Sequence, residues 1–67
     1  MTAEIALQNV EGLADDNKAS LKHVENLEQH FHEFGNADDA FAILEGMKDN
    51  LKSNEFNINQ LRSLITK

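Results

Sequence analysis

The stretch HVENLEQHFHEF, residues 23 to 34, holds the side chains whose types and spacing come nearest to a reactive or metal-binding set. His23 and His30 are seven residues apart and share one face of a helix, while Glu28 and His32 are four apart and share another. Two ligands at helical spacing hold a zinc ion weakly. A catalytic zinc needs three protein ligands and a structural one four, and no HExxH or equivalent pattern is present. Of the serines Ser20, Ser53 and Ser63, only Ser20 has a histidine, His23, at a helical neighbour spacing. An activated serine also needs an orienting group and a water-excluded cleft. The paired acids Asp15 and Asp16 read as a solvated helix face, Asp38 and Asp39 as the acidic start of a helix. No glycine-rich phosphate loop exists. The expectation is therefore a chain that is not an enzyme, with no catalytic set, no intrinsic metal site and no cofactor.

The elements that would have to position these residues are helical. Proline is absent, only 3 glycines occur among 67 residues, and the apolar residues recur at spacings of three and four, the period of a helix face. In the first half the stripe runs Ala3, Ala6, Val10, Leu13, Asn17, Ser20, Val24, Leu27, Phe31, Phe34. In the second it runs Ala37, Ala40, Leu44, Met47, Leu51, Asn54, Ile58, Leu61, Ile65. Both fit the a and d positions of a heptad repeat lettered a to g.

Periodicity alone permits one continuous helix through the middle. The segment FGNADDAF, residues 34 to 41, argues against it. Gly35, followed by Asn36, suits the left-handed conformation just past a helix end, and Asn36 or Asp38 can cap a new helix. The predicted fold is thus all-α: one domain, 1–67, forming an antiparallel, coiled-coil-like two-helix hairpin. Its helices are predicted over about 3–34 and 38–66, with the turn at 35–37. In KSNEFNINQL, Asn57 and Gln60 match a capping box that would start a third helix near residue 58, but the heptad runs through without a skip, which favours continuity.

Folded at Gly35, the stripes meet with Leu27 opposite Leu44, Val24 opposite Met47 and Leu13 opposite Ile58. The two polar interruptions, Asn17 and Asn54, then fall in one layer, where their amides can bond each other and set the register. Leu7, Ala14 and Leu21 at e positions of the first helix, and Phe41 at an e position of the second, widen the stripe on one flank. They mark it as the expected partner-binding side, unless Lys48 and Arg62 lay their stems over it. The g flank is mostly polar (Asn9, Asp16, His23, His30, Asn50, Asn57), with Ile43 and Leu64 as exceptions. Ile5 and Phe56 fall outside the stripe, and Gly12 and Gly46 fall at outward c positions.

A chain this short buries too little surface to be comfortably stable alone, and without cysteine it has no disulfide to compensate. A helical bundle completed by a partner or a second copy is expected. The balance of 12 acidic and 6 basic residues, net −6, disfavours nucleic acid and anionic membranes as partners. The apolar runs are too short to span a bilayer and the first residues lack a secretory signal, so the expected location is cytoplasmic.

In its length, its MT start with LQNVE soon after, Leu21, the turn glycine Gly35, the aromatic Phe41 and Leu51, the chain resembles the small helical-hairpin chaperones of the type III secretion needle subunit, the YscE-like group. That resemblance implies a heteromeric complex with a helical-repeat co-chaperone that together holds the needle subunit. The expected function is a protein–protein interaction module, with such a chaperone as its sharpest form. The alternative is an acidic inhibitor that occupies a basic protein surface by mimicking nucleic acid.

Overall fold

Thr2 opens the first helix by accepting a hydrogen bond on Oγ1 from the Ile5 N–H at 3.2 Å, while its carbonyl accepts from the Ala6 N–H at 3.0 Å. This is how a threonine satisfies backbone donors that have no partner inside the helix. In the computed structural model, which describes residues 2–34 and 38–67, α1 runs Ala3–Phe34 and α2 Asp38–Ile65. Asp38 and Asp39 place negative charge in the first turn of α2, and Arg62 places positive charge in its last, both favourable to the helix dipole. The helix is unbroken through residue 58. The capping-box pattern at Asn57 and Gln60 starts nothing, because the apolar phase of Ile58, Leu61 and Ile65 continues across it.

The molecule is all-α, a two-helix hairpin. Its long dimension is 50 Å and its cross-section 15 by 12 Å, whereas one straight helix over residues 3–65 would measure about 95 Å at 1.5 Å per residue. Cross-helix bonds from Glu11 to Arg62, Asn17 to Leu51 and Glu28 to Lys48 run in opposite order along the two chains, so the pair is antiparallel. The expected turn residues Gly35 and Asn36 lie outside the described residues.

The seam differs in rotation from the one the a and d pattern predicts. Among the described residues the four buried side chains, Val10, Val24, Leu44 and Ile58, are all a residues, 3% to 8% exposed. The remaining partly buried residues are mainly at e: Leu7, Ala14, Leu21 and Glu28 on α1, and Phe41, Lys48 and Arg62 on α2. The large d residues Leu13, Leu27, Met47 and Leu61 are 44% to 52% exposed. Each helix is turned by about one heptad position, some 50°, so that a and e face the neighbour.

Candidate protein-docking face

Rotation of the seam decides which side of the hairpin is available. On the e side, the long charged residues of α2 close the junction. Lys48 Nζ lies 3.0 Å from the Glu28 carboxylate across the seam and 3.4 Å from Glu45 on its own helix. The hydrogen bond that Lys48 donates to Glu28 raises its pKa above the ordinary 10.5, against a smaller opposing effect of desolvation and with further help from the Glu28 and Glu45 charges. Arg62 Nε donates to Glu11 at 2.7 Å, and its Nη1 donates to Asn59 Oδ1. On this side Ala14 and Leu21 of α1 share a crevice with Glu55 and Ile58 of α2.

Leu7, Ala14, Leu21 and Phe41, expected from the sequence to form the docking flank, are therefore partly buried inside the hairpin. These partly buried residues contribute to the intramolecular seam, on the side where the charged ends of Lys48 and Arg62 pair with α1.

The d and g side is the open one. Leu13, Leu27, Met47 and Leu61 at d, with Ile43 and Leu64 at g (both 64% exposed), line it from end to end. Two grooves run between the helices here. One is lined by Ser20, His23, Val24, Leu27, Met47, Asn50 and Leu51, the other by Leu13, Asp16, Asn17, Ser20, Leu51, Asn54 and Ile58. These are the layers the sequence pairs, Val24 with Met47 and Asn17 with Asn54, and they flank open grooves at the edge of the seam. Of the 12 acidic and 6 basic residues in the chain, Asp16 alone stands at a d or g position. A face that mixes exposed leucine, isoleucine and methionine with polar side chains and carries one formal charge shares the charge depletion of an interface centre.

Asn17 and Asn54 line one groove but do not pair as expected. Asn17 donates its amide to the Leu51 carbonyl at 3.0 Å, and Asn54 is exposed. The rotation explains this too: Asn17, at an a position, points into the seam and finds the neighbouring backbone, whereas Asn54, at d, is carried out of it.

The histidines of residues 23 to 34 lie on the surface of α1. His23, His30 and His32 are exposed, the ring of His30 stands edge-on to Phe31 with centroids 5.2 Å apart, and Glu28 is engaged with Lys48. Among the described residues there is no group of three or more histidine, cysteine or acidic side chains placed to hold a metal ion. No helix among them is long and apolar enough to cross a membrane.

Ile43, Leu64 and the four d residues are the functional candidates that the heptad reading missed, having assigned the d set to the core. Ile43 and Leu64 were visible as apolar intrusions on an otherwise polar flank. Comparison with protein families, curated proteins and solved structures finds no match to the chain, so this face is assigned from geometry and composition alone.

Proposed function

We propose that the chain is a protein–protein interaction module that docks helical protein surface on its d and g face. The observation that carries this reading is the coincidence of exposed leucine, isoleucine and methionine with near-complete absence of formal charge on one side of a chain of net −6. A hairpin buries one seam only, and the four buried residues here form a small core. Covering the open face would add a second layer. A small chaperone of a secretion needle subunit, in which a helical co-chaperone fills the face, is one form of the proposal and draws on the hairpin architecture and the sequence resemblance.

A second reading uses the other surfaces. Eleven of the 12 acidic residues lie off the d and g face, on sides that an inhibitor of a basic groove would present. Salt separates the two: apolar docking persists at about 0.5 M NaCl, whereas charge-led docking weakens steeply.

The test is the double variant Leu27→Glu, Met47→Glu, which places charge in the middle of the open face without entering the buried seam. The helical circular-dichroism signal should be retained, while self-association or binding of an apolar fluorescent dye to the face should be lost. Unchanged mass and unchanged dye binding would reject the docking face.

A further inference from the structure

The d and g residues of both helices are arranged with a symmetry that the fold itself does not need. Along α2 they read Ile43, Met47, Asn50, Asn54, Asn57, Leu61, Leu64: two apolar residues, three asparagines, two apolar residues. Reversed about Asn54, the pattern falls on itself, with Met47 meeting Leu61, Ile43 meeting Leu64, Asn50 meeting Asn57 and Asn54 meeting Asn54. Along α1 the set Asn9, Leu13, Asp16, Ser20, His23, Leu27, His30 behaves in the same way about Ser20. There Leu13 meets Leu27, and the one carboxylate of the face, Asp16, meets His23. The centres of the two reversals are neighbours along the hairpin, since Ser20 and Asn54 line one groove.

From this we infer that the occupant of the face is a second copy of the chain. It is related by a two-fold axis that lies in the plane of the interface, crosses both helices near Ser20 and Asn54, and packs α1 antiparallel on α1 and α2 antiparallel on α2. This inference rests on the docking face proposed above and names its partner.

Three further observations favour a self-pairing. An isologous interface must carry a self-complementary pattern, and both helices do. Like charges do not oppose one another across it: each copy contributes Asp16 alone, displaced from its symmetry mate toward His23, while the remaining acids stay outside the contact. The asparagines come together in the central layers, where amide donors and acceptors satisfy each other. The size is also adequate. A face of 50 by 15 Å presents about 750 Å², close to the roughly 800 Å² per partner of a standard stable interface.

The chain contains no cysteine, so single-cysteine variants report the geometry without background. Under mild oxidation Ser20→Cys and Asn54→Cys should each form a disulfide with their own copy, because each sits beside the axis. Ile43→Cys mixed with Leu64→Cys should give the mixed dimer in preference to either self-dimer. Glu25→Cys and Lys52→Cys, on the charged side, should form no disulfide-linked dimer. The unmodified chain should sediment at twice 7.5 kDa. A folded species of 7.5 kDa at millimolar concentration overturns the inference, as does a dimer in which neither Ser20→Cys nor Asn54→Cys cross-links. Should that folded monomer bind the apolar dye, with Leu27→Glu, Met47→Glu abolishing the binding, the second copy is ruled out while the docking face stands. A folded monomer that binds no dye removes both.

Discussion

On one side of the hairpin Lys48 and Arg62 reach over the junction to Glu28 and Glu11. On the other, Leu13, Leu27, Met47 and Leu61 stand about half exposed beside open grooves. Both sides border the same four buried residues, and each contains residues from both helices. A leucine can finish a seam only by being covered, whereas a lysine or arginine can finish one by laying its methylenes over it and keeping its charge in water. The e side therefore closes within a single chain. Closing the d side needs material that the hairpin does not contain, and this is the physical origin of the proposed docking face.

Substitutions in neighbouring layers test whether the seam is rotated as described. Leu44 is 4% exposed and Met47, three residues on, 46%. Leu44→Ala should cost about 2 to 5 kcal/mol, the range for truncating a buried leucine, enough to unfold much of a small hairpin at room temperature. Met47→Ala in the monomeric state should change stability by no more than about 0.5 kcal/mol. Urea denaturation followed by helical circular dichroism, on a face-blocked background such as Leu27→Glu, measures both. Equal losses would return the seam to the a and d positions and remove the distinction between the two sides.

The asparagines give the next largest effect and the same contrast. Asn17 spends its amide on the Leu51 carbonyl, so Asn17→Ala should lose about 1 kcal/mol, the net value of a typical hydrogen bond. Asn54→Ala should be near neutral for the monomer and should weaken only the dimer. A loss from Asn54→Ala as large as that from Asn17→Ala in the monomer would indicate that the two amides bond each other, contrary to the geometry found.

Gly12 and Gly46 extend the comparison to the outward surface. A methyl group added at either position meets nothing within 4 Å, and both are exposed in helix interiors. Gly46→Ala should therefore stabilise the hairpin by about 0.5 to 1 kcal/mol, through the better helix propensity of alanine. Thermal unfolding measures this directly. If association falls while monomer stability rises, a partner backbone approaches at c, and the docking face would have to extend beyond d and g.

Much of this architecture is legible in the sequence. The three-and-four spacing, the absent proline and the residues from Phe34 to Asp39 are enough for a helical hairpin with helices close to those seen. The rotation of the seam is not legible in the same way, for a specific reason. On α1 the d, a and e positions are all largely apolar (Leu13 and Leu27; Val10 and Val24; Leu7 and Leu21), so either a narrow a and d seam or its rotated counterpart fits. On α2 the e positions hold Lys48, Glu55 and Arg62, which a rule that places charge outside a core excludes. What overrides the rule is pairing across the chain, Lys48 with Glu28 and Arg62 with Glu11, between residues whose proximity appears only after the register is known. The same step draws Leu7, Ala14, Leu21 and Phe41 partly into the seam.

The smallest expected effect, and the one that most sharply probes how the e side is closed, concerns Glu28 and Lys48. Glu28 raises the Lys48 pKa, so the folded state binds that proton more tightly than the unfolded chain does. The stabilisation is fully present below the ordinary lysine value of 10.5 and is lost as pH rises through the higher folded value. The pair is partly exposed to solvent, 23% and 25%, so its contribution should be smaller than any change above and should shrink with added salt. A double-mutant cycle of Glu28→Gln and Lys48→Met, followed by urea denaturation at neutral pH and above pH 10.5, isolates it. The coupling should be favourable at neutral pH and fade at the higher one. Lys48→Met alone should lose little, since an apolar stem of similar length remains at the position. A large loss from that variant would mean that the charge, and not the stem, holds the e side shut. The contrast between a side closed by side-chain packing and a side left open for a partner would then fail.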